Sequence, residues 1–365
     1  MRYLSLQLKT LSPLLVITFL LSGCASGLDM KEFQPPIYPP PPEEARFIYE
    51  RSLIGTIDVE PVTAEQRFKA MATGLPVGEN ILVKPYDVAV YQGRVYVSDT
   101  IDRSIVMFDI PGQRYVRFGV RGPGALTKPI GLAVGPKGNL YVADNSAARV
   151  VVFSPEGKFI KAFGGKAELK RPTDVAVTKD GRYAYVVDTG GIDNRSHHLL
   201  KYDLLTGKMV QDIGTRGSKP GNFNFPLMID IDSKGRVYVL DAGNFRVQRF
   251  TPSGEFDFTF GDVGNYLGQF SRPKGLAVDN DDNVYVMDAS FANFQIFNDK
   301  GQLLLFVGER SRTNEPGKFS LPAGLTVDED GRIYAIDQVF AKVDIFRPYH
   351  MKKTDGYAGV HPVEE

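Results

Sequence analysis

One pattern occurs six times between residues 85 and 337, and this repetition limits the fold more than any other feature of the chain. Each copy starts with a proline, continues through two short apolar runs separated by a turn, and ends the second run with an aspartate. The prolines are Pro85, Pro129, Pro172, Pro226, Pro273 and Pro322, and the aspartates are Asp99, Asp144, Asp188, Asp241, Asp288 and Asp337. Successive prolines lie 43 to 54 residues apart, which is the length of one β-propeller blade.

Each copy predicts four short strands, named A to D along the chain. In copy five, residues 275–278 predict strand A and residues 284–287 predict strand B, because both are short apolar runs bounded by turn residues. In copy four, residues 246–250 predict strand C, and strand D ends at Phe260. Proline is tolerated at the start of strand A because a first residue need not donate to the neighbouring strand. The sequence therefore predicts an all-β, six-bladed propeller of four-stranded antiparallel blades.

Copies four and five also share a longer motif of glycine, phenylalanine and proline at fixed spacing. It comprises Gly217, Gly221, Phe223 and Pro226 in copy four, and Gly264, Gly268, Phe270 and Pro273 in copy five. These residues closely resemble the NHL repeat family, and the resemblance extends over about residues 84–346. It implies a closed ring that binds proteins or nucleic acids. A few members of the family are amidating lyases whose propellers hold metals through histidines.

The ring needs one strand that copy six does not supply. Copy six predicts strands A to C and ends near Phe346, whereas the run at residues 47–54 resembles a strand D. We expect this N-terminal strand to complete blade 6, because closure leaves no unpaired edge. The propeller would then comprise residues 45–346. A short helix is predicted over residues 63–72, with Thr63 as its cap and Gln66 three residues later.

The start of the chain is typical of an exported lipoprotein. Arg2 and Lys9 precede an apolar run at residues 11–21, which is short for a membrane span. The run ends in Leu-Ser-Gly-Cys, which resembles the bacterial lipobox, so residues 1–24 are predicted to be a lipoprotein signal and Cys24 to be acylated. The alternative is an ordinary cleavage site with an incidental cysteine. Ala25 and Ser26, and no aspartate, come directly after Cys24, and by resemblance to the sorting rules of enteric bacteria this favours the outer membrane.

Two further segments flank the predicted ring. Residues 25–44 contain six prolines and predict an extended tether, which we interpret as a spacer rather than a docking motif. Residues 347–365 form a C-terminal tail without a clear strand. The 43 basic and 43 acidic residues balance, which argues against a general nucleic-acid binder. A single cysteine excludes an internal disulfide and a zinc site built on several cysteines. No cofactor is predicted.

Departures from the repeat indicate where a partner would bind. In an up-and-down blade the D–A and B–C loops share one face, here called the loop face, and the A–B and C–D turns share the other, the turn face. Asp188 and Tyr202 of copy three are fourteen positions apart, whereas the equivalent residues of the other copies are nine positions apart. This insertion contains Arg195, His197 and His198, which either contact a ligand or metal or belong to a solvated loop.

The segments that lead into strand A are rich in positive charge. They carry twelve basic and five acidic residues, and Arg310 and Arg312 lie in the longest of the later segments. This excess would attract an acidic partner or an anionic surface, unless it only keeps the protein soluble.

Three aspartates are predicted near the propeller axis. Asp87, Asp174 and Asp230 lie on strand A, so their carboxylates would either bind a cation in the central channel or accept backbone hydrogen bonds. The aspartate that ends strand B in every copy is expected to have a structural role, accepting backbone N–H groups of the B–C turn.

Together these features predict a binding or scaffolding propeller anchored to the outer membrane, with an envelope protein as its partner and no nucleic acid. Relatives of this lipoprotein type often occur beside exported multihaem cytochromes, so the resemblance makes such an assembly one possible partner. The alternative is a metal-dependent lyase or lactonase-like propeller, which requires histidines or carboxylates that converge on the axis. No strand A carries a histidine, and His350 and His361 lie in the tail. We therefore expect binding rather than catalysis.

Overall fold

A computed structural model describes residues 33–191 and 196–359. The predicted signal, Cys24 and Arg195 lie outside the described residues. Among the residues that are described, no helix is long and apolar enough to cross a membrane. The compact unit that starts at Pro35 contains all of the regular structure considered below.

Six antiparallel sheets, five with four strands and one with an additional fifth strand, confirm the predicted propeller. Blade 1 has strand A at Pro85–Tyr91, B at Arg94–Asp99, C at Ser104–Asp109 and D at Arg114–Phe118. Blade 2 has Pro129–Val134, Leu140–Asp144, Arg149–Phe153 and Phe159–Gly164 in the same order. Blade 3 has Pro172–Val177, Tyr183–Asp188, His198–Asp203 and Lys208–Ile213.

The second half of the ring repeats this arrangement. Blade 4 has strands Pro226–Ile231, Val237–Asp241, Arg246–Phe250 and Phe256–Phe260. Blade 5 has Pro273–Val278, Val284–Asp288, Asn293–Phe297 and Leu303–Val307. Blade 6 has Pro322–Val327, Ile333–Asp337 and Lys342–Pro348 as strands A to C. Strands A of all six blades line one central cavity.

The N-terminal strand Phe47–Leu53 closes blade 6, as the sequence predicted. It pairs antiparallel with strand C, Lys342–Pro348. A fifth strand, Ile37–Tyr38, pairs with the outer edge of this closing strand. Tyr38 packs edge-on against Phe346 with ring centroids 5.7 Å apart, and its hydroxyl donates to the carbonyl of Gly317. Part of the segment that the prolines marked as a tether therefore lies against the propeller.

Helical structure is confined to loops. The helix predicted after the closing strand spans Ala64–Thr73; the Thr63 hydroxyl accepts from the Gln66 N–H, and Gly74 ends the helix in the left-handed conformation. Single 3-10 turns span Thr56–Asp58 and Ala242–Asn244. Two-residue strands at Glu309–Arg310 and Lys318–Phe319 pair in parallel within the loop before blade 6.

The core consists of apolar seams between neighbouring blades, which explains the glycine–phenylalanine motif. Phe223 is fully buried against Phe250 of the same blade, with ring centroids 5.6 Å apart. Gly214, which directly follows strand D of blade 3, lies beside this ring. A Cβ on Gly214 would be 2.5 Å from the Phe223 side chain. Gly214 also has a φ of 80°, which a side chain would strain. The motif therefore fixes how each D–A loop packs into the next seam.

The C-terminal tail packs on the turn face of blade 6. Arg332, which is fully buried, pairs with Glu50 of the closing strand at 3.0 Å and donates to the carbonyl of Asp355 at 2.7 Å. Farther along the tail, Ala358 is also buried. The two ends of the described chain are thus tied to the same blade.

Candidate functional site

The aspartate that ends strand B organises the loop face. In blade 1, Asp99 accepts hydrogen bonds from the N–H groups of Ile101 and Asp102 in the B–C turn. Its other carboxylate oxygen accepts from Val83 and Lys84, the two residues before strand A. The structural role predicted for this residue is confirmed in blade 1, and it is broader than expected, since the Asp99 carboxylate connects two loops.

Blade 4 departs from this pattern. In the other five blades the strand-B aspartate accepts from both residues that precede the proline. In blade 4, Asp241 accepts from Asn224 at 2.6 Å, whereas the N–H of Phe225 points to Nδ1 of His197 at 3.1 Å. Phe225 has a φ of 53°, which is rare for a bulky residue. Its ring is left half exposed on the loop face.

His197 therefore connects the copy-three insertion to blade 4. Its side chain is buried, its ring lies 5.2 Å from that of Phe225, and Nδ1 is also 3.2 Å from the carbonyl oxygen of Phe223. Burial lowers the pKa of His197, which favours the neutral ring. An N–H group can only donate, so the contact with Phe225 requires an unprotonated Nδ1 and a proton on Nε2. In this tautomer the approach of Nδ1 to the Phe223 carbonyl is not a hydrogen bond, because neither atom carries a proton.

The neighbouring His198 has a different partner. Its Nδ1 lies 2.6 Å from a carboxylate oxygen of Asp212 on the adjacent strand D. The two histidines that the sequence placed together are thus engaged separately. Among the described residues, no group of three histidine, cysteine, aspartate or glutamate side chains is positioned to hold a metal ion.

The two arginines singled out before blade 6 differ in their contacts. The guanidinium of Arg310 donates to the carbonyls of Ser320, Ala289 and Ser290 at 3.2, 2.8 and 2.9 Å. These contacts tie the D–A loop to the B–C turn of blade 5, which gives Arg310 a structural role. Arg312 is exposed and forms no ion pair among the described residues.

The sequence did not identify a group of apolar side chains exposed on the loop face of blades 4 and 5. This group, here called the apolar patch, comprises Phe225, Val263, Tyr266 and Leu267, which are 49, 58, 79 and 50% exposed. Tyr266 and Leu267 occupy variable positions between Gly264 and Gly268 of the repeat motif. Copy four has Lys219 and Pro220 at the equivalent positions, so a comparison of these variable positions would have found the signal.

The three channel aspartates lie on strand A, as predicted, and each is bonded to the next blade. Asp87 accepts from the N–H of Leu132 at 2.8 Å, Asp174 from Ile229 at 2.9 Å, and Asp230 from Val278 at 2.7 Å; each donor belongs to strand A of the following blade. Gly324, on strand A of blade 6, lies beside the Asp87 carboxylate of blade 1. A Cβ on Gly324 would be 2.1 Å from Oδ1 of Asp87, so a side chain at this position would collide with the aspartate.

The cavity that these carboxylates line has a volume of about 170 Å³. Burial raises the pKa of Asp87 to about 7 and that of Asp230 to about 6. Burial, together with the negative charge of Asp87, also raises the pKa of Asp174. Each carboxylate thus has a backbone partner that stabilises its charged form and surroundings that disfavour that form.

Six four-stranded blades around a central cavity, closed by a strand from the N-terminal side, define a six-bladed β-propeller. The NHL repeat family model matches residues 126–153 and 223–250, which form parts of blades 2 and 4. The chain is therefore a six-bladed β-propeller that contains NHL repeats.

Comparisons with known proteins support this assignment. The chain is 29% identical to Protein brain tumor of Drosophila melanogaster over 152 residues, 40% of this chain and 14% of that protein. It is 30% identical to NHL repeat-containing protein 3 of Mus musculus over 112 residues, 29% of this chain and 32% of that protein. The chain therefore spans less than a third of the length of either relative.

Solved structures share the fold at low sequence identity. They include a streptogramin B lyase (TM-score 0.54, 14% identity, 73% of this chain and 94% of that one). An auxiliary nutrient binding protein from Bacteroides thetaiotaomicron has a TM-score of 0.57 at 12% identity, covering 75% of this chain and 70% of that one. A gluconolactonase from Xanthomonas campestris has a TM-score of 0.56 at 15% identity, covering 73% of this chain and 86% of that one. The propeller fold thus occurs in both enzymes and binding proteins, and does not distinguish between them.

Proposed function

We propose that this chain is a lipid-anchored binding propeller of the bacterial cell envelope that recognises a protein through its loop face. The observation that carries the proposal is the apolar patch, because four large side chains are exposed on neighbouring blades of a face that is otherwise held together by buried aspartates. Exposed apolar groups of this size are typical of interaction sites.

Positive charge surrounds the apolar patch. Arg216, Lys219 and Arg272 lie in the same D–A loops as the patch, and Arg312 lies in the next loop; all four are exposed. Within the described part of the chain, none of them forms an ion pair with an acidic side chain. An apolar centre with a basic rim is complementary to a partner surface with an apolar centre and acidic rim.

The geometry supports a rigid recognition surface. His197 accepts a hydrogen bond from Phe225, Arg310 ties down the loop before blade 6, and Asp99 connects two loops of blade 1. Little conformational entropy would be lost when a partner binds to loops that are already ordered. Exported multihaem cytochrome assemblies are the partner class that family association suggests for a lipoprotein of this type.

The recognition surface is tested by affinity capture from the membranes of the native host. The double variant Tyr266→Ala, Leu267→Ser removes the most exposed part of the patch. Leu205→Ser, which alters a side chain that is 78% exposed on the turn face, is the matched control. We expect the double variant to lose the captured partner and the control to retain it. If the double variant retained the partner at wild-type yield, the loop face would be excluded as the recognition surface.

The anchor is tested separately with Cys24→Ser. We expect this variant to leave the membrane fraction, because one acylated residue is the predicted means of attachment. A Cys24→Ser protein that stays in the membrane fraction after its signal has been removed would contradict the lipid anchor. That result would leave the apolar patch unaffected as a protein-binding site.

A further inference from the structure

The helix Ala64–Thr73 carries an apolar stripe that faces away from the propeller. Ala64, Phe68 and Met71 are spaced at helical periodicity, and all are exposed, with Phe68 at 73% and Met71 at 86%. Leu75, which follows the helix at the rim of the groove described next, is 62% exposed. The opposite side of the helix borders a groove against the propeller, formed by Gln66, Lys69, Ala70 and Thr73 together with residues 75–79 and Tyr115. A surface helix normally has its apolar stripe toward the core. Here the arrangement is reversed.

This helix is well formed despite having no buried residue. Thr63 and Gln66 make reciprocal capping bonds, and the N–H of Gly74 donates to the carbonyl of Ala70. Ten residues are few for a helix to be stable without burying an apolar face. Its apolar stripe therefore indicates a surface that is covered when the protein is in place.

Three further apolar side chains are exposed on the loop face at the junction of blades 6 and 1. Ile57 in the 3-10 turn, Val83 before strand A of blade 1, and Ile101 in the B–C turn of blade 1 are each more than half exposed. Together with Phe68, Met71 and Leu75 they form what we call the apolar ridge. In the six-bladed ring this junction lies across the axis from blades 3 and 4, so a partner bound near Phe225 would leave the ridge free.

The path of the chain indicates what covers the ridge. The closing strand runs from the turn face at Phe47 to the loop face at Leu53, and Ile37–Tyr38 pairs antiparallel with its beginning. The carbonyl of Pro36 accepts from the N–H of Tyr49, which extends this pairing upstream. Followed backwards from Tyr38, the chain thus runs toward the loop face of blade 6, one of the two blades whose junction carries the ridge.

The chain between this point and the predicted anchor is short. Ten residues lie between Cys24 and Pro35, and the fully extended chain from one to the other reaches at most about 40 Å. A lipid on Cys24 would hold the propeller close to the bilayer, on the side from which the chain approaches. The ridge has both basic and acidic neighbours, including Arg67, Lys69, Glu65 and Glu79, so its apolar side chains rather than a net charge define the contact.

We infer that the apolar ridge is where the propeller rests on the lipid bilayer, with Phe68, Met71 and Leu75 inserted at the boundary between headgroups and acyl chains. The inference rests on the anchor proposed at Cys24, which keeps the local concentration of the ridge at the membrane high. A short helix buries only a small area, so it would bind lipid weakly alone and effectively when tethered. The ridge and the apolar patch share the loop face, but the ridge lies at blades 6 and 1 and the patch at blades 4 and 5, so lipid and partner would contact different blades.

The chain contains no tryptophan and one cysteine, which permits a direct test. The chain from Cys24 onward, which includes every described element, is coupled through that cysteine to vesicles of phosphatidylcholine that contain a maleimide lipid. One protein carries Met71→Trp, and a matched protein carries Leu205→Trp on the turn face. Both positions are highly exposed, so neither substitution alters the core. Tryptophan emission is recorded with ordinary lipids and with lipids brominated along their acyl chains.

We expect the emission of Met71→Trp to shift to shorter wavelength on vesicles and to lose intensity with brominated lipids, and the emission of Leu205→Trp to change in neither respect. An unquenched Met71→Trp on coupled protein would overturn the inference. A blue shift without quenching would also overturn it, because a second copy or another protein would then cover the ridge. Coupling imposes the anchor chemically, so this outcome is distinguishable from failure of acylation in the cell, which Cys24→Ser reports.

Discussion

The imidazole Nδ1 of His197 lies 3.1 Å from the backbone nitrogen of Phe225, in the role that a strand-B carboxylate has in the other five blades. The insertion in blade 3 and the unusual loop before blade 4 are therefore structurally coupled. The insertion in blade 3 supplies an acceptor to the loop before blade 4, and that loop turns Phe225 outward with a positive φ. A strained backbone at an exposed aromatic residue is typical of a recognition surface.

Replacing His197 should lower the stability of the protein more than replacing its neighbour His198. His197→Phe keeps an aromatic ring but leaves the N–H of Phe225 without an acceptor, which costs about 1–3 kcal/mol for a buried donor. His198→Phe removes a partly exposed contact with Asp212, and such surface pairs contribute at most about 1 kcal/mol. Urea unfolding of both variants measures the difference. Equal losses would show that the contact between His197 and Phe225 has no special importance.

The same contact should make the protein pH-sensitive. The pKa of His197 is lowered in the folded protein, so below about pH 6.5 the unfolded chain binds a proton more readily than the folded one. The contribution of His197 to stability is therefore fully present above that pH and decreases as the pH falls toward the folded pKa. We expect the stability difference between wild type and His197→Phe to shrink over this range in urea titrations at successive pH values. A difference that is constant from pH 7 to pH 5 would contradict this prediction.

Asp87 should have the opposite dependence on pH. Its pKa is raised to about 7 by burial, from an ordinary value near 3.8. The folded protein then binds a proton that the unfolded chain has released, so stability decreases as the pH rises from about 4 to 7. Asp87→Asn keeps an oxygen to accept the N–H of Leu132 and removes the titration.

The stability of Asp87→Asn relative to wild type should therefore rise across the same interval. Asp281→Asn, in an exposed hairpin turn, is the control and should show no such trend. The measurement is the urea midpoint of each protein between pH 4 and pH 8. Parallel curves for wild type and Asp87→Asn would show that the channel carboxylate is not protonated near neutrality.

Local repetition made the blades, the closing strand and the capped helix predictable, because each depends on short patterns of apolar, turn and capping residues. The partners of His197 could not be predicted, since Phe225 lies 28 residues away and the contact exists only after blades 3 and 4 pack. Likewise, the sequence identified Arg310 only as a basic residue of a loop. In the structure its guanidinium donates to three backbone carbonyls and so holds that loop. The apolar ridge was missed because periodicity identifies an amphipathic helix but not the direction in which its stripe points.

The closing strand leads to a prediction about where the chain can be shortened. A protein that begins at Thr63 lacks the whole of Phe47–Leu53. It loses the hydrogen bond of 2.6 Å from the Ser52 hydroxyl to Asp344, which is buried beside Lys342. The truncation also removes Glu50, whose carboxylate pairs with the buried Arg332. A buried charge without its partner is strongly destabilising, and the exposed edge of strand C would favour aggregation.

A protein that begins at Glu43 keeps the closing strand but lacks Ile37–Tyr38. It loses the contact between Tyr38 and Phe346 and the hydrogen bond to Gly317, which together secure the outer edge of blade 6. We expect melting temperatures to fall in the order Pro35, Glu43, Thr63 for proteins that begin at these residues, with the larger drop at the second step. Ser52→Ala in the longest chain measures how much of that drop one hydrogen bond explains, about 1–3 kcal/mol. If the proteins beginning at Thr63 and Glu43 melted together, the ring would have to close without the N-terminal strand, and its pairing with Lys342–Pro348 would not stabilise the propeller.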